Sequence, residues 1–326
     1  MRVTIKDIAK KLNISTAAVS KALNNLSGVS EDLRERVKEA AKEMGYTPNL
    51  IAKNLVQKRT NKIALFILSR KIEDMRFSFL DNEIFRYLIN ESHKIDYNIL
   101  VFSVEDTDEK KSYIDLCLSE NVAGAIILGL KLDDPQINEL RENKSFPVVV
   151  FDTSIGGNVN SVKTDNESGV LEVTSFLREM NHKKIGVITG HFKAQVSIER
   201  LYTFTNSLIG NNIEVYEGDF SKESGYKGAM ELYSKGVSAI FAFSDLMALG
   251  AIEYFNEKNI DIPDKVSIIG FDNIPIGEII KPGLSTVAHN KSEIAKQMLK
   301  LITDSSFGKN VKIKPELIKR DSVKKL

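Results

Sequence analysis

From Ile63 onward the chain repeats short apolar runs separated by longer amphipathic segments, and few folds satisfy that pattern. The runs IALFIL, NILVF, AGAIIL and FPVVVF come first. The alternation restarts after Ser161 with KIGVIT, IEVYEG, AIFAF and VSIIGF. Such strands have no polar face to turn to water, so helices must cover both sides of a mainly parallel sheet. Two series predict two doubly wound α/β subdomains with a cleft between them, and a ligand beyond the carboxyl ends of the strands. Polar residues stand at those ends: Asp152 after FPVVVF, Ser244 and Asp245 after AIFAF, Asp272 and Asn273 after VSIIGF. They have the chemistry to bond ligand hydroxyls, and equally to cap the helix that follows.

The first sixty residues read differently. Ile5, Ile8, Ala9 and Leu12 recur at helical spacing behind Thr4 and Asp7, a capping box with Asp in place of Glu. Asn13-Ile14-Ser15 interrupts the pattern. Ala18, Val19, Ala22 and Leu23 then line one side of a second short helix capped by Ser15, leaving Thr16, Ala17, Ser20 and Lys21 outward. Two short helices joined by a tight turn form either a helix-turn-helix or an ordinary helical hairpin. A third helix starts at Ser30 and stops at Gly45. Residues 1–60 hold 12 Lys and Arg against 6 Asp and Glu, whereas the rest holds 33 against 38. A basic head on a mildly acidic body suits a head that meets phosphate.

At 326 residues the chain can build a small head and a two-part core. Cys117 is the sole cysteine, which excludes an intrachain disulfide and accords with a reducing compartment. No apolar run is long enough for a membrane span, and the charged N-terminus is unlike a signal peptide, so the expected location is cytoplasmic. Phosphate-binding glycine loops, Cys-x-x-Cys and His-Glu-x-x-His are missing, which argues against an enzyme, a metal or a cofactor. The histidines, at 93, 182, 191 and 289, are scattered, and His182 in the NHKKIG turn is read as a surface residue.

With TIKDIAKKLNIS, AVSKALN, VSEDLRERV, GYTPNLIAKNL and KRTNKIAL in unbroken succession, and LIKRDS near the end, the chain resembles the LacI/GalR family of transcription repressors. The resemblance implies a head at 1–47, a hinge helix or linker at 48–60 and a periplasmic-binding-protein-like type I body at 61–326. The body divides into 61–155 with 286–311, and 156–285 with 312–326. It implies DNA contacts from Thr4, Ser15, Thr16, Ala17, Ser20, Lys21, Asn24, Tyr46, Asn49, Ala52 and Leu55. Lys21 replaces the usual Arg, and Leu55 matches the family's minor-groove wedge. The alternative for 48–60 is a flexible tether with Leu55 packed on the body.

For the effector, GFDN implies Asp272, SIERLYTF implies Arg200 (with Thr203 where Gly is usual) and GDFSKESGY implies Phe220, which as a loop aromatic could equally be core. Ser244 stands where Asn is frequent. The loop SRKIEDMRFSFLDNEIF departs most from the family, with Phe77 and Phe79 its nearest counterparts to the effector-facing aromatics. An aromatic with Arg and two acids suits a sugar or sugar derivative, with a nucleobase second; control by a protein corepressor is the other reading. The implied partners are a pseudo-palindromic operator, a small effector and a second copy of the chain, since no leucine-heptad tail follows LIKRDSVKKL to build a tetramer. A solute-binding protein shares the body architecture but lacks the head.

Overall fold

The computed structural model describes residues 3–23, 25–46, 60–68, 79–103 and 112–326. They fall into two units, 1–59 and 60–326.

The head is built from α1 (Ile5–Leu12), α2 (Thr16–Leu23) and α3 (Glu31–Glu43). Asp7 accepts hydrogen bonds from both the backbone N–H and the hydroxyl of Thr4, at 2.8 and 2.7 Å, which hold its carboxyl below the usual range. Asn13, at φ 51°, makes the left-handed turn out of α1. The Ala18 N–H then donates to the Ser15 hydroxyl to start α2. Ser30 caps α3 in the same way through the Leu33 N–H. Ile8, Val19, Ala22 and Val37 are fully buried between the helices, with Tyr46 packed against them.

The body carries two six-stranded sheets. The first has the order β11-β5-β4-β3-β1-β2, from β1 (Lys62–Ile67), β2 (Asn98–Ser103), β3 (Gly124–Leu128), β4 (Val148–Phe151), β5 (Asn160–Thr164) and β11 (Asn310–Ile313). All its pairings are parallel. The second has the order β12-β10-β9-β8-β6-β7, from β6 (Lys184–Thr189), β7 (Asn212–Glu217), β8 (Ala239–Ala242), β9 (Ser267–Asp272), β10 (Ser285–Ala288) and β12 (Glu316–Ile318); only β12 runs antiparallel. The central strands are buried along their length, as parallel strands covered on both faces must be.

The chain crosses between lobes three times, and the first crossing is not where the sequence places it. It leaves the first lobe at Asp165 rather than about 155, whereas the return after Ala288 and the last crossing between Ile313 and Glu316 fall within a few residues of the expected 285 and 311. The strands NSVKT, STVA, NVKI and ELI were absent from the sequence reading. They are short and rich in polar residues, so no apolar run marks them, although NSVKT is buried throughout. The helix Lys291–Thr303 belongs to the first lobe: Ile294, Ala295 and Met298 pack in the same core as Ile63, Leu65 and Val149.

Two helices of the second lobe, Lys222–Ser234 and Asp245–Glu257, approach to backbone contact. A Cβ at Gly250 would overlap the Lys222 carbonyl, and one at Gly225 the Met247 carbonyl. Backbone cannot yield as a side chain can. Gly250→Ala is therefore expected to lower stability by about 1–3 kcal/mol despite the better helix propensity of Ala. Urea unfolding midpoints test this, and a variant as stable as the wild type would refute the contact.

Candidate functional site

A cavity of about 1030 Å³ lies within the body, lined from the carboxyl ends of strands in both lobes. Leu68 follows β1, Gly129 and Leu130 follow β3, and Asp152 follows β4. From the second lobe come His191 after β6, Phe220 after β7, Phe243 and Ser244 after β8, and Asp272 at the end of β9. Of the sequence-predicted effector residues, Asp152, Arg200, Phe220, Ser244 and Asp272 all line this one cavity. Phe77 lies outside the described residues. Phe79 begins the helix Phe79–Lys94, whose Leu80 reaches the cavity wall.

Arg200 is the central cation. It is 2 % exposed, its Nε donates to Asn166 Oδ1 at 2.8 Å and its Nη1 to the Phe243 carbonyl at 2.6 Å. Its guanidinium lies 3.5 Å above the Phe271 ring. Burial lowers its pKa, and the charges of Asp272, Asp152 and Glu199 act against that. Asp152 accepts from the Thr164 N–H at 2.8 Å; burial pushes its carboxyl up, while His289 and Arg200 pull it down. Asp272 accepts from His289 Nε2 at 3.1 Å.

The two readings of Ser244 and of Phe220 prove compatible. Ser244 caps its helix, accepting from the Met247 N–H at 3.2 Å, and also lines the cavity. Phe220 is half-buried, meets the edge of His191 at 5.5 Å between centroids, and lies so close to Gly190 that a Cβ there would have to displace its ring. Asp245 is different. It is fully buried, does not line the cavity, and accepts from Thr286 Oγ1 at 2.6 Å and the Ile274 N–H at 2.9 Å, so it fastens β10 and the loop after β9. Asp152, Phe220 and Asp272 have φ of 54°, 68° and 116°, conformations that L-residues hold only when the surroundings compel them.

Sequence reasoning missed Asn166, Glu199, Lys163 and His289, which hold the cavity's charges in place. It also misplaced His182, which is 2 % exposed, not a surface residue. Its ring bonds Ser238 Oγ at 2.9 Å and the Lys324 carbonyl at 3.2 Å, and burial lowers its pKa. Among the described residues no cluster could hold a metal, and no helix is long and apolar enough to cross a membrane.

In the head, Thr16, Ala17 and Lys21 are exposed along α2, Ser20 is half-buried, and Thr4 and Ser15 stand at the starts of α1 and α2. Asn24, Asn49, Ala52 and Leu55 lie outside the described residues.

A three-helix head with a helix-turn-helix, in one chain with a two-lobed α/β body around a cavity that holds buried charges, defines a ligand-responsive transcription regulator. The comparisons agree. Residues 4–49 match the profile of bacterial regulatory proteins of the lacI family, and residues 174–323 that of a periplasmic binding protein-like domain. The transcriptional repressor CytR of Escherichia coli K12 is 31 % identical over 318 residues, covering 94 % of this chain and 91 % of that one. The repressor PurR of Histophilus somni strain 2336 is 29 % identical, with 99 % of each chain covered. The Lac repressor dimer bound to operator and the anti-inducer ONPF superposes with a TM-score of 0.80 over 99 % of this chain and all of that one, at 24 % identity. The regulator CelR in complex with cellobiose does so with a TM-score of 0.70, at 25 % identity, covering 98 % of this chain and all of that one. The chain belongs to the LacI family: it is a DNA-binding transcriptional repressor with an effector-binding body.

Proposed function

We propose that a sugar or sugar derivative binds in the cavity between Phe220 and the charged set Asp152, Arg200 and Asp272, and that it modulates operator binding by a homodimer. The carrying observation is convergence: a buried guanidinium, two carboxylates and an aromatic, from segments far apart in sequence, line one cavity at strand ends. Carboxylates and guanidinium suit paired hydroxyls, and the Phe220 ring suits the apolar face of a pyranose or furanose. The cellobiose complex of CelR, a protein of the same architecture, supports this choice. At about 1030 Å³ the cavity has room for more than one ring. Binding of this kind asks no bond chemistry of the chain, so we read it as a regulator and not an enzyme.

A thermal-shift panel of mono- and disaccharides, cellobiose first, against nucleobases tests the effector class. A ligand at a hundred times its Kd adds about 2.7 kcal/mol of stability. A rise with nucleobases alone would move the assignment to that class, and no rise with either would favour a protein corepressor.

For the head, we propose that α2 enters the major groove of each half of a pseudo-palindromic operator. Thr16, Ala17, Ser20 and Lys21 would face base edges there, and Thr4, Ser15, Asn24, Tyr46 and Asn49 the backbone. Ala52 and Leu55 would serve the minor groove. The outward set on α2, opposite buried Val19 and Ala22, supports the first part of this reading. Lys reaches guanine O6 or N7 without the planar fork of Arg. Lys21→Ala is expected to weaken the best operator by about 1–3 kcal/mol and random DNA by less. Equal losses on both, in a fluorescence-anisotropy titration at fixed salt, would make Lys21 a phosphate contact.

A further inference from the structure

Asp152, Arg200 and Asp272 belong to different segments of the cavity wall, yet each leads back to two adjacent residues, Lys163 and Thr164, at the end of β5 in the first lobe. The Thr164 N–H donates to Asp152 Oδ1 at 2.8 Å. The Thr164 hydroxyl bonds His289 Nδ1 at 2.6 Å, and His289 Nε2 bonds Asp272 Oδ1 at 3.1 Å in the second lobe. In a neutral ring whose Nε2 donates to Asp272, Nδ1 is the acceptor that the Thr164 hydroxyl meets. On the other side, Lys163 pairs with Glu199 of the second lobe. Glu199 accepts from Asn166 Nδ2 at 3.0 Å, and Asn166 accepts from Arg200 Nε at 2.8 Å. Successive side chains of a strand point to opposite faces, which lets neighbouring residues serve both branches.

The Thr164 branch is shielded from water, and the Lys163 branch is buried at Lys163 but reaches the half-buried Glu199. Thr164 is 2 % exposed, Lys163 8 % and His289 6 %. The His289 ring lies between Phe151 of the first lobe, 6.3 Å away between centroids, and Phe271 of the second, 5.1 Å away. A third link runs beside them: the Ser154 N–H donates to Gln195 Oε1 at 2.7 Å, and Gln195 Nε2 donates to Glu199 at 2.9 Å.

We propose that Lys163 and Thr164 are positioning residues that fix Asp152, Arg200 and Asp272 relative to one another across the two lobes, so that the spacing of the cavity's charges and the angle between the lobes are one equilibrium. The description of those three as effector-facing rests on the proposed function. The placement of Lys163 and Thr164 does not.

The test needs no ligand. Spin labels at Lys144→Cys in the first lobe and Lys258→Cys in the second, both exposed, report the interlobe distance by double electron–electron resonance in the full chain diluted with unlabelled protein. Cys117 is buried and its thiol is pushed up to about 12, so it stays unlabelled. The wild type is expected to show one main distance, with any second population below about a tenth. Thr164→Val, which keeps shape and N–H but removes the hydroxyl, should raise a second distance to roughly a third or more. Thr164→Ser should restore the wild-type distribution. Adding His289→Leu to Thr164→Val should do no more than Thr164→Val alone, because both cut one tie. Lys163→Met should raise the same second distance by the other branch. Wild-type distributions in both Thr164→Val and Lys163→Met would overturn the proposal, as would Thr164→Ser behaving like Thr164→Val. Because no sugar is present, its outcome is independent of the effector assignment.

Discussion

Arg200→Ala is expected to abolish the response to effector, with the affinity for whichever sugar stabilises the wild-type chain falling about a hundredfold or more. The loss has two parts. The guanidinium is buried and its charge acts on both Asp152 and Asp272, and its Nη2 has no hydrogen-bond partner among the described residues, so it is the group best placed to meet a ligand oxygen. Removing it also takes away the positive charge that Asp152 and Asp272 share, leaving Asp272 with His289 and Asp152 with the Thr164 N–H, and breaking a buried charge set in this way costs about 3–5 kcal/mol of stability. Arg200→Lys should recover little. A single ammonium cannot bond Asn166 Oδ1 and the Phe243 carbonyl together while lying flat on Phe271. Isothermal titration of the sugar, beside urea unfolding of the free protein, separates the two parts. Binding within threefold of the wild type would remove Arg200 from the site.

What the sequence displayed and what it hid follow from how each feature is encoded. VSIIGF, AIFAF and FPVVVF are central strands buried on both faces, so their apolar runs are unbroken and legible. NSVKT is buried too, but its Asn160, Lys163 and Thr164 are satisfied by specific partners that no periodicity announces. Missing that strand moved the first crossover to 155. It also hid Lys163 and Thr164, to which the hydrogen bonds of Asp152, Arg200 and Asp272 lead.

The site divides along similar lines. Asp152 and Ser244 were found from their position at strand ends, and Arg200, Phe220 and Asp272 from family motifs, because each is local to a short segment. Asn166, Glu199 and His289 act through partners 33 to 125 residues away, or across the lobes, and such pairings exist only in the fold. His182 failed for a related reason. A Lys-rich turn looks exposed until the C-terminal segment, which bonds the ring through the Lys324 carbonyl, is laid over it.

Asp245→Asn is expected to flatten the pH dependence of stability and to stabilise the protein on the alkaline side of neutrality. Asp245 has no exposure, and its carboxyl is pushed up to about 8, first by burial and then by the nearby charge of Asp272. In the unfolded chain it titrates near its ordinary 3.8. The folded state therefore binds the extra proton. The stability this confers is complete below the unfolded value and is lost as pH rises through the window from about 4 to about 8, by at most about 1.4 kcal/mol per pH unit. Asp152, raised by the same burial, slopes the same way, whereas His182, with its pKa lowered, slopes oppositely below its ordinary value. Both are common to wild type and variant, so the difference between the two isolates Asp245. Asn fits the place of the protonated acid: its carbonyl can accept from the Ile274 N–H while its amide donates to Thr286 Oγ1. Urea unfolding at about pH 5.5 and about pH 8 should show the variant gaining on the wild type by up to about 3 kcal/mol between those conditions. Parallel profiles would mean that Asp245 stays ionised in the fold, its charge carried by Thr286, Ile274 and Lys291.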